Sequence, residues 1–258
     1  MFIKKSIDKD HYDKDGYTII DTDLEYNQNF NDLIEQIDND LKIKIKNDRL
    51  KKNGGFMMGN FGINQGPYGP ELKSLIFKEQ FVKIFEDLTK CKLDSFNIFC
   101  GGNLVLPKKG KQHFHIDGAY NKKMYMISIV TENIDLNNGP TEICVGSHKK
   151  KMKFWEFFFS KKQKKKLILK KGQILIRPHN LWHRGTKNFS NKTRLLLSFV
   201  MTPKVNLGRK IEPISSELMI LPNFFNSNFQ GKLHELFYIH FSFIHIVLKL
   251  ILSFFKQK

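Results

Sequence analysis

Cysteine is nearly missing from this chain. The 258 residues hold three, Cys91, Cys100 and Cys144. They form no CxxC pair and leave an odd count, which argues against a disulfide framework and a cysteine-built metal site and suits a reducing compartment. Arginine is scarce too, with five (Arg49, Arg177, Arg184, Arg194, Arg209) among 43 basic residues, so the formal charge of +18 is a lysine charge. A nucleic-acid reader more often interleaves arginine with aromatics. An excess of Lys, Asn, Ile and Phe is also what an AT-rich genome encodes without selection for binding. No nucleic-acid partner is therefore expected, and long-range attraction of anionic substrates stays open. The opening Met1-Phe2-Ile3-Lys4-Lys5 lacks an apolar h-region, which predicts a cytoplasmic protein. The six glycines of residues 53–70 are followed by no Gly-Lys-Ser/Thr, so a phosphate-binding loop is excluded as well.

What is present reads as helices followed by strands. Residues 12–20 are a turn feeding a short strand. From Leu24 to about Lys46, Phe30, Leu33, Ile34, Ile37, Leu41 and Ile45 recur at three and four, the spacing of an amphipathic helix. Residues 53–70 read as a long loop, and 70–90 as a second helix. After Cys91 short β-rich runs follow at 93–100, 103–106, 112–117, 123–131, 141–145, 173–177 and 193–201, with helical spacing only near 152–166. Many short strands between Gly, Pro and Asn turns predict a mainly β barrel or jelly roll. The lysine run 161–166 reads as a solvated loop or helix end.

The chemistry-bearing residues lie in two short motifs. In His113-Phe114-His115-Ile116-Asp117, alternate side chains of a strand share a face, so His115 and Asp117 can chelate one metal. His183, after the strand-like run 173–177, is the candidate third ligand. Two imidazoles and one carboxylate with open positions suit non-heme Fe(II), and zinc uses similar sets. A cupin-type arrangement would use His113 with His115 and want a glutamate soon after, where Ala119 and Tyr120 stand. His179 sits in a turn, and His148 reads as a loop residue that helps close the site. Arg194, eleven residues after His183, separates these readings. A guanidinium in an apolar strand facing a metal pocket needs a carboxylate, and a dicarboxylate co-substrate supplies one.

Together these motifs resemble the phytanoyl-CoA dioxygenase family of Fe(II)/2-oxoglutarate oxygenases over roughly residues 12–202. The likeness lies in Asp15-Gly16-Tyr17, Gln112 before the His-x-Asp run, Asn138-Gly139-Pro140-Thr141 leading to Gly146-Ser147-His148-Lys149, and Trp182-His183-Arg184-Gly185 with Asn188-Phe189-Ser190 and Arg194. The resemblance implies a double-stranded β-helix (jelly roll) core with flanking α-helices. It implies His115, Asp117 and His183 as iron ligands and catalytic residues. Arg194 would anchor the distal carboxylate of 2-oxoglutarate, and O2 would be the oxidant. Asn103 lies near where relatives place an amide contact to the co-substrate. Relatives often carry a small hydroxyl residue two positions after the second histidine, where this chain has Gly185. Halogenating relatives lack the carboxylate, so Asp117 favours hydroxylation of a small-molecule or lipid-like substrate. The rival reading is a non-catalytic or zinc-binding jelly roll.

The division expected is a dioxygenase domain with its N-terminal helices over 1–205 and a C-terminal extension over 206–258. Residues 233–255 are apolar and aromatic, with Ser242, His245, Lys249 and Ser253 on one narrow helical stripe. Three fates stay open for this apolar helix: docking on the domain or a partner, lying on a membrane, or spanning it.

Overall fold

Asn27 sets the first helix. Its side-chain oxygen accepts the Phe30 backbone N–H at 3.0 Å, which starts α2 (Gln28–Asn47) rather than letting it run from Leu24, where a short 3-10 turn stands instead. The computed structural model describes residues 2–3, 9–47, 58–64, 66–108, 112–118, 120, 123–204, 218–220 and 241–255. Before α2 come α1 (Lys9–Asp15) and β1 (Thr18–Ile20). Of the region expected as a loop over 53–70, residues 53–57 and 65 lie outside the described residues. Its second half is ordered into β2 (Met58–Gly62) and the beginning of α3 (Tyr68–Ile76). The single helix expected over 70–90 is two, α3 and α4 (Glu79–Thr89). Phe77 leaves helical geometry, and its ring turns onto Phe199 and Phe81 at 4.7 and 5.8 Å. Tertiary packing overrides the local pattern there.

The strands continue as β3 (Phe96–Val105), β4 (Tyr125–Val130) and β5 (Thr141–Cys144). After α5 (Phe154–Phe158) come β6 (Lys164–Lys166), β7 (Ile174–Pro178), β8 (His183–Gly185), β9 (Arg194–Pro203) and β10 (Met219–Ile220), then α6 (Ser242–Phe255). One antiparallel sheet runs β1-β7-β4-β9-β3-β2-β10, and a smaller one runs β6-β5-β8. The runs 93–100 and 103–106 fuse into β3, which pairs with β9 along its whole length. The lysine run contains an edge strand, not a loop. Its side chains are exposed, and Lys165 donates to the Tyr17 hydroxyl at 2.9 Å. Lysine is a residue that edge strands tolerate. Beyond residue 205, β10 joins the edge of the large sheet and α6 packs on α5.

The large sheet sorts its side chains by parity. Leu195, Leu197, Phe199 and Met201 of β9, with Ile127 and Ile129 of β4, enter the main apolar core with Phe30, Leu33 and Ile37 of α2 and Phe81 and Phe85 of α4. Arg194, Leu196, Ser198 and Val200 face the other way and line a cavity of about 260 Å³ between the sheets. The period of two places helices on one face and a polar site on the other. Phe199 is fully buried against the helices, so Phe199→Ala should cost about 3–5 kcal/mol, read by urea denaturation.

Gly16 holds a corner of this frame. Its φ is +86°, and a Cβ there would stand 2.3 Å from His148 Nδ1. Gly16→Ala should lower stability by more than about 1 kcal/mol through both strain and clash; an unchanged melting temperature would refute this.

Candidate metal centre and co-substrate pocket

His115 meets His183 through the backbone. The two residues exchange both hydrogen bonds, N–H to carbonyl at 3.0 Å in each direction, as an isolated antiparallel bridge beside β8. Gln112 and Asp117 extend the attachment. The Gln112 N–H donates to the Gly185 carbonyl, its side-chain oxygen accepts the Gly185 N–H, and the Asp117 N–H donates to the His179 carbonyl. The imidazole centroids of His115 and His183 thereby stand 4.5 Å apart.

The tautomers follow from local carbonyls. His115 Nδ1 lies 2.9 Å from the His113 carbonyl and His183 Nδ1 lies 3.0 Å from the Leu181 carbonyl. Nδ1–H donation in both rings leaves both Nε2 lone pairs directed at the same place, the tautomer a metal requires. Asp117 supplies the third donor, with Oδ1 3.6 Å from His115 Nε2 and Oδ2 3.5 Å from His183 Nε2. One donor atom from each of the three lies within 4.8 Å of the others, and among the described residues no other cluster of this kind occurs. The donor set therefore fits a metal with two nitrogens and one oxygen.

Arg177 is the site residue that sequence reasoning missed. It lies on β7 with its side chain on the cavity face, next in parity to Leu175. Its guanidinium donates to Asp117 Oδ2 at 2.8 Å and to His183 Nε2 at 3.0 Å. An arginine in the otherwise apolar run 174–178 is a signal in itself, because a buried guanidinium demands a carboxylate partner. Burial, then the neighbouring Arg177 charge, pushes the His183 imidazole down to about 3, so it is neutral at physiological pH. Burial alone would raise the Asp117 carboxyl, but the positive surroundings outweigh it and hold it well below the usual range. His183 thus presents a neutral imidazole and Asp117 an ionised carboxylate, the protonation states of ligands.

Arg194 is 1% exposed, and its Nε and Nη1 have no hydrogen-bond partner. Among the described residues no carboxylate forms an ion pair with it. Burial brings its pKa down to about 10, against the attraction of Glu132, so it keeps its charge. Glu132 accepts the Leu195 N–H at 3.2 Å. Asn103 lies on β3 opposite Leu196 and lines the same cavity, with a buried side-chain oxygen that also lacks a partner. Unpartnered buried polar atoms are costly, and here they lie along one cavity wall, where a polar ligand can satisfy them.

Among the described residues the other histidines do not join. His113 is absent from the cavity wall, and its ring packs 4.9 Å from that of His245 on α6. The ladder pairing of this segment is one isolated bridge at His115, so strand alternation does not extend to His113. His148 closes a different hollow, with His179, and its carbonyl accepts the Tyr120 hydroxyl and the Asn180 amide. The remaining motif residues build the frame. The Ser147 hydroxyl accepts the Trp182 N–H at 2.9 Å, Trp182 stacks on Phe157 at 4.2 Å, and Arg184 pairs with Glu142 at 2.6 Å across β8 and β5.

A family model for phytanoyl-CoA dioxygenase (PhyH) matches residues 12–196. The chain belongs to this family. Several solved structures are similar to it. One is the epimerase SnoN in complex with Fe3+, alpha ketoglutarate and nogalamycin RO, at 14% identity and TM-score 0.58, covering 83% of this chain and 93% of that one. The non-heme alpha ketoglutarate dependent carbocyclase SnoK from nogalamycin biosynthesis gives 16%, 0.55, 83% and 94%. EctD from S. alaskensis with 2-oxoglutarate and 5-hydroxyectoine gives 15%, 0.56, 76% and 74%. No curated protein sequence matches. The shared fold is the jelly roll with flanking helices, one of the two architectures the strand spacing allows and the one the resemblance implies.

Proposed function

We propose that this chain is an Fe(II)- and 2-oxoglutarate-dependent oxygenase that hydroxylates a small-molecule or lipid-like substrate. His115, Asp117 and His183 would hold the iron, and Arg194 the distal carboxylate of 2-oxoglutarate. The observation that carries the reading is Arg194, a charged and unpartnered guanidinium in the cavity that also holds the triad. A rigid two-pronged donor matches the two oxygens of a carboxylate, and the metal-binding triad in the same cavity suits the other end of a 2-oxo dicarboxylate. Asn103, beside it on the same wall, would donate or accept to the same molecule through its amide.

Iron bound at the triad supplies the oxygen chemistry that couples decarboxylation of 2-oxoglutarate to oxidation of a substrate C–H bond. The protein's own part is positional. The 115–183 backbone bridge fixes both imidazoles, Arg177 holds the Asp117 carboxylate in place, and Arg194 orients the co-substrate. Similar structures include an epimerase and a carbocyclase, so the fold does not select the outcome. The carboxylate of Asp117 supports hydroxylation over halogenation.

The test is a succinate-release screen across metabolite classes with iron-loaded protein, with products weighed by mass spectrometry. Succinate coupled to a product one oxygen heavier supports the proposal. A protein that takes up zinc and consumes no 2-oxoglutarate with any substrate contradicts it.

A further inference from the structure

We infer that α6 and the lysine-rich segments bracketing α5 form a docking surface for an anionic membrane. The inference stands apart from the proposed activity, because it rests on the opposite face of the molecule's C-terminal helix and on residues outside the cavity.

The helix is mounted with its polar side inward. Ser253 Oγ accepts the Trp155 N–H at 3.3 Å. Lys249 Nζ donates to the Phe114 carbonyl at 3.5 Å and stands 4.4 Å above the Phe154 ring. The His245 ring meets His113, and Phe254 stacks on Trp155 at 5.0 Å with 12° between planes. Ile246 and Leu250 complete the contact by packing against the cluster of Phe114, Phe154, Phe157 and Trp182. These contacts fix the helix's rotation. The residues turned outward are then apolar: Phe243 is 76% exposed, Phe255 79%, and Leu248, Ile251 and Leu252 about half. A helix of a water-facing surface shows the reverse arrangement, and a contiguous apolar patch of this kind marks a place that another phase or partner covers.

Charge identifies the occupant. Residues 149–166, which include α5, carry nine lysines against one glutamate. Lys149 to Lys151 and Lys161 to Lys166 are exposed, and Lys164 lies 5.7 Å from the Phe157 ring of α5. An exposed apolar helix beside a polybasic segment is the pairing that binds anionic lipid surfaces, where each lysine near the headgroups adds roughly fivefold. A second copy meeting this face about a two-fold axis would set one lysine-rich rim against another. The described length of this helix is too short to span a bilayer. Its 14 residues reach about 21 Å at 1.5 Å per residue, short of the roughly 30 Å core of a bilayer, and no helix among the described residues is long and apolar enough to cross a membrane. It would lie in the interface plane.

The test is co-sedimentation of the full chain with phosphatidylcholine vesicles, with and without phosphatidylserine, over a salt titration. Expected is binding at least about tenfold tighter to the phosphatidylserine vesicles and weakening with salt. Leu248→Glu with Leu252→Glu, both at exposed positions, should reduce it more than about tenfold while the melting temperature holds. Lys161→Glu with Lys166→Glu should do the same through charge. Equal binding to both vesicle types, or no binding by the wild-type chain, overturns the inference. So does a concentration-dependent dimer, seen by analytical ultracentrifugation, that the leucine variant abolishes in a chain that ignores vesicles.

Discussion

Replacing Arg194 with alanine should weaken 2-oxoglutarate binding by about 100-fold or more while leaving metal binding intact. A hundredfold loss is about 2.7 kcal/mol, within the roughly 2–5 kcal/mol lost on removing one partner of a desolvated, charge-assisted carboxylate contact. Anaerobic thermal unfolding separates the two ligands. Fe(II) alone should raise the wild-type melting temperature. Saturating 2-oxoglutarate should add a second increment, worth about 2.7 kcal/mol at a hundred times its dissociation constant. In Arg194→Ala the first increment should remain and the second should vanish at the same concentrations. The apo variant should not be much less stable than the wild type, because the guanidinium's Nε and Nη1 have no partners to lose. A full second increment in the variant would remove Arg194 from the co-substrate site.

Asp117→Ala should abolish 2-oxoglutarate turnover and also destabilise the apo protein. The second effect arises from Arg177, which is 6% exposed and donates to Asp117 Oδ2. Without the carboxylate, the buried guanidinium keeps only its contact with the His183 imidazole. Breaking such a pair costs about 3–5 kcal/mol, on the order of 5–15 °C in melting temperature for a chain of this size. Asp117→Ala with Arg177→Met should recover much of the stability and none of the turnover. If Asp117→Ala melted like the wild type, the ion pair would not have the weight assigned to it here. If it kept turnover, the triad assignment would fail.

The grouping of His115 and Asp117 was legible because it rests on short-range chemistry, whereas His183 joins them only through the 115–183 bridge. His115 and Asp117 are two apart, and Arg194 announced itself as a charge in an apolar strand. Arg177 carries the same signal in Ile174–Pro178 yet was passed over, since a lone arginine near a strand end has many ordinary partners. Its role became visible only when the 115–183 bridge brought Asp117 to it. The fold class was legible from the spacing of β-rich runs. Pairing was not. Met58–Gly62 reads as glycine-rich loop because its strand identity comes from β3 alongside, and Lys164–Lys166 has no apolar face at all but is held by β5. The stripe of Ser242, His245, Lys249 and Ser253 was visible in the sequence. That it faces inward was not, because a polar stripe normally faces water and only Trp155, Phe114, Phe154 and His113 reverse it.

The most direct test of the central claim is an anaerobic absorbance titration. The wild-type protein with Fe(II) alone should show no visible band. Adding 2-oxoglutarate should bring up a weak charge-transfer absorption that saturates at one equivalent per chain and is lost in Arg194→Ala. An absence of any band in the wild type, with zinc bound in preference and 2-oxoglutarate ignored, would contradict the assignment of this pocket as an iron and 2-oxoglutarate site.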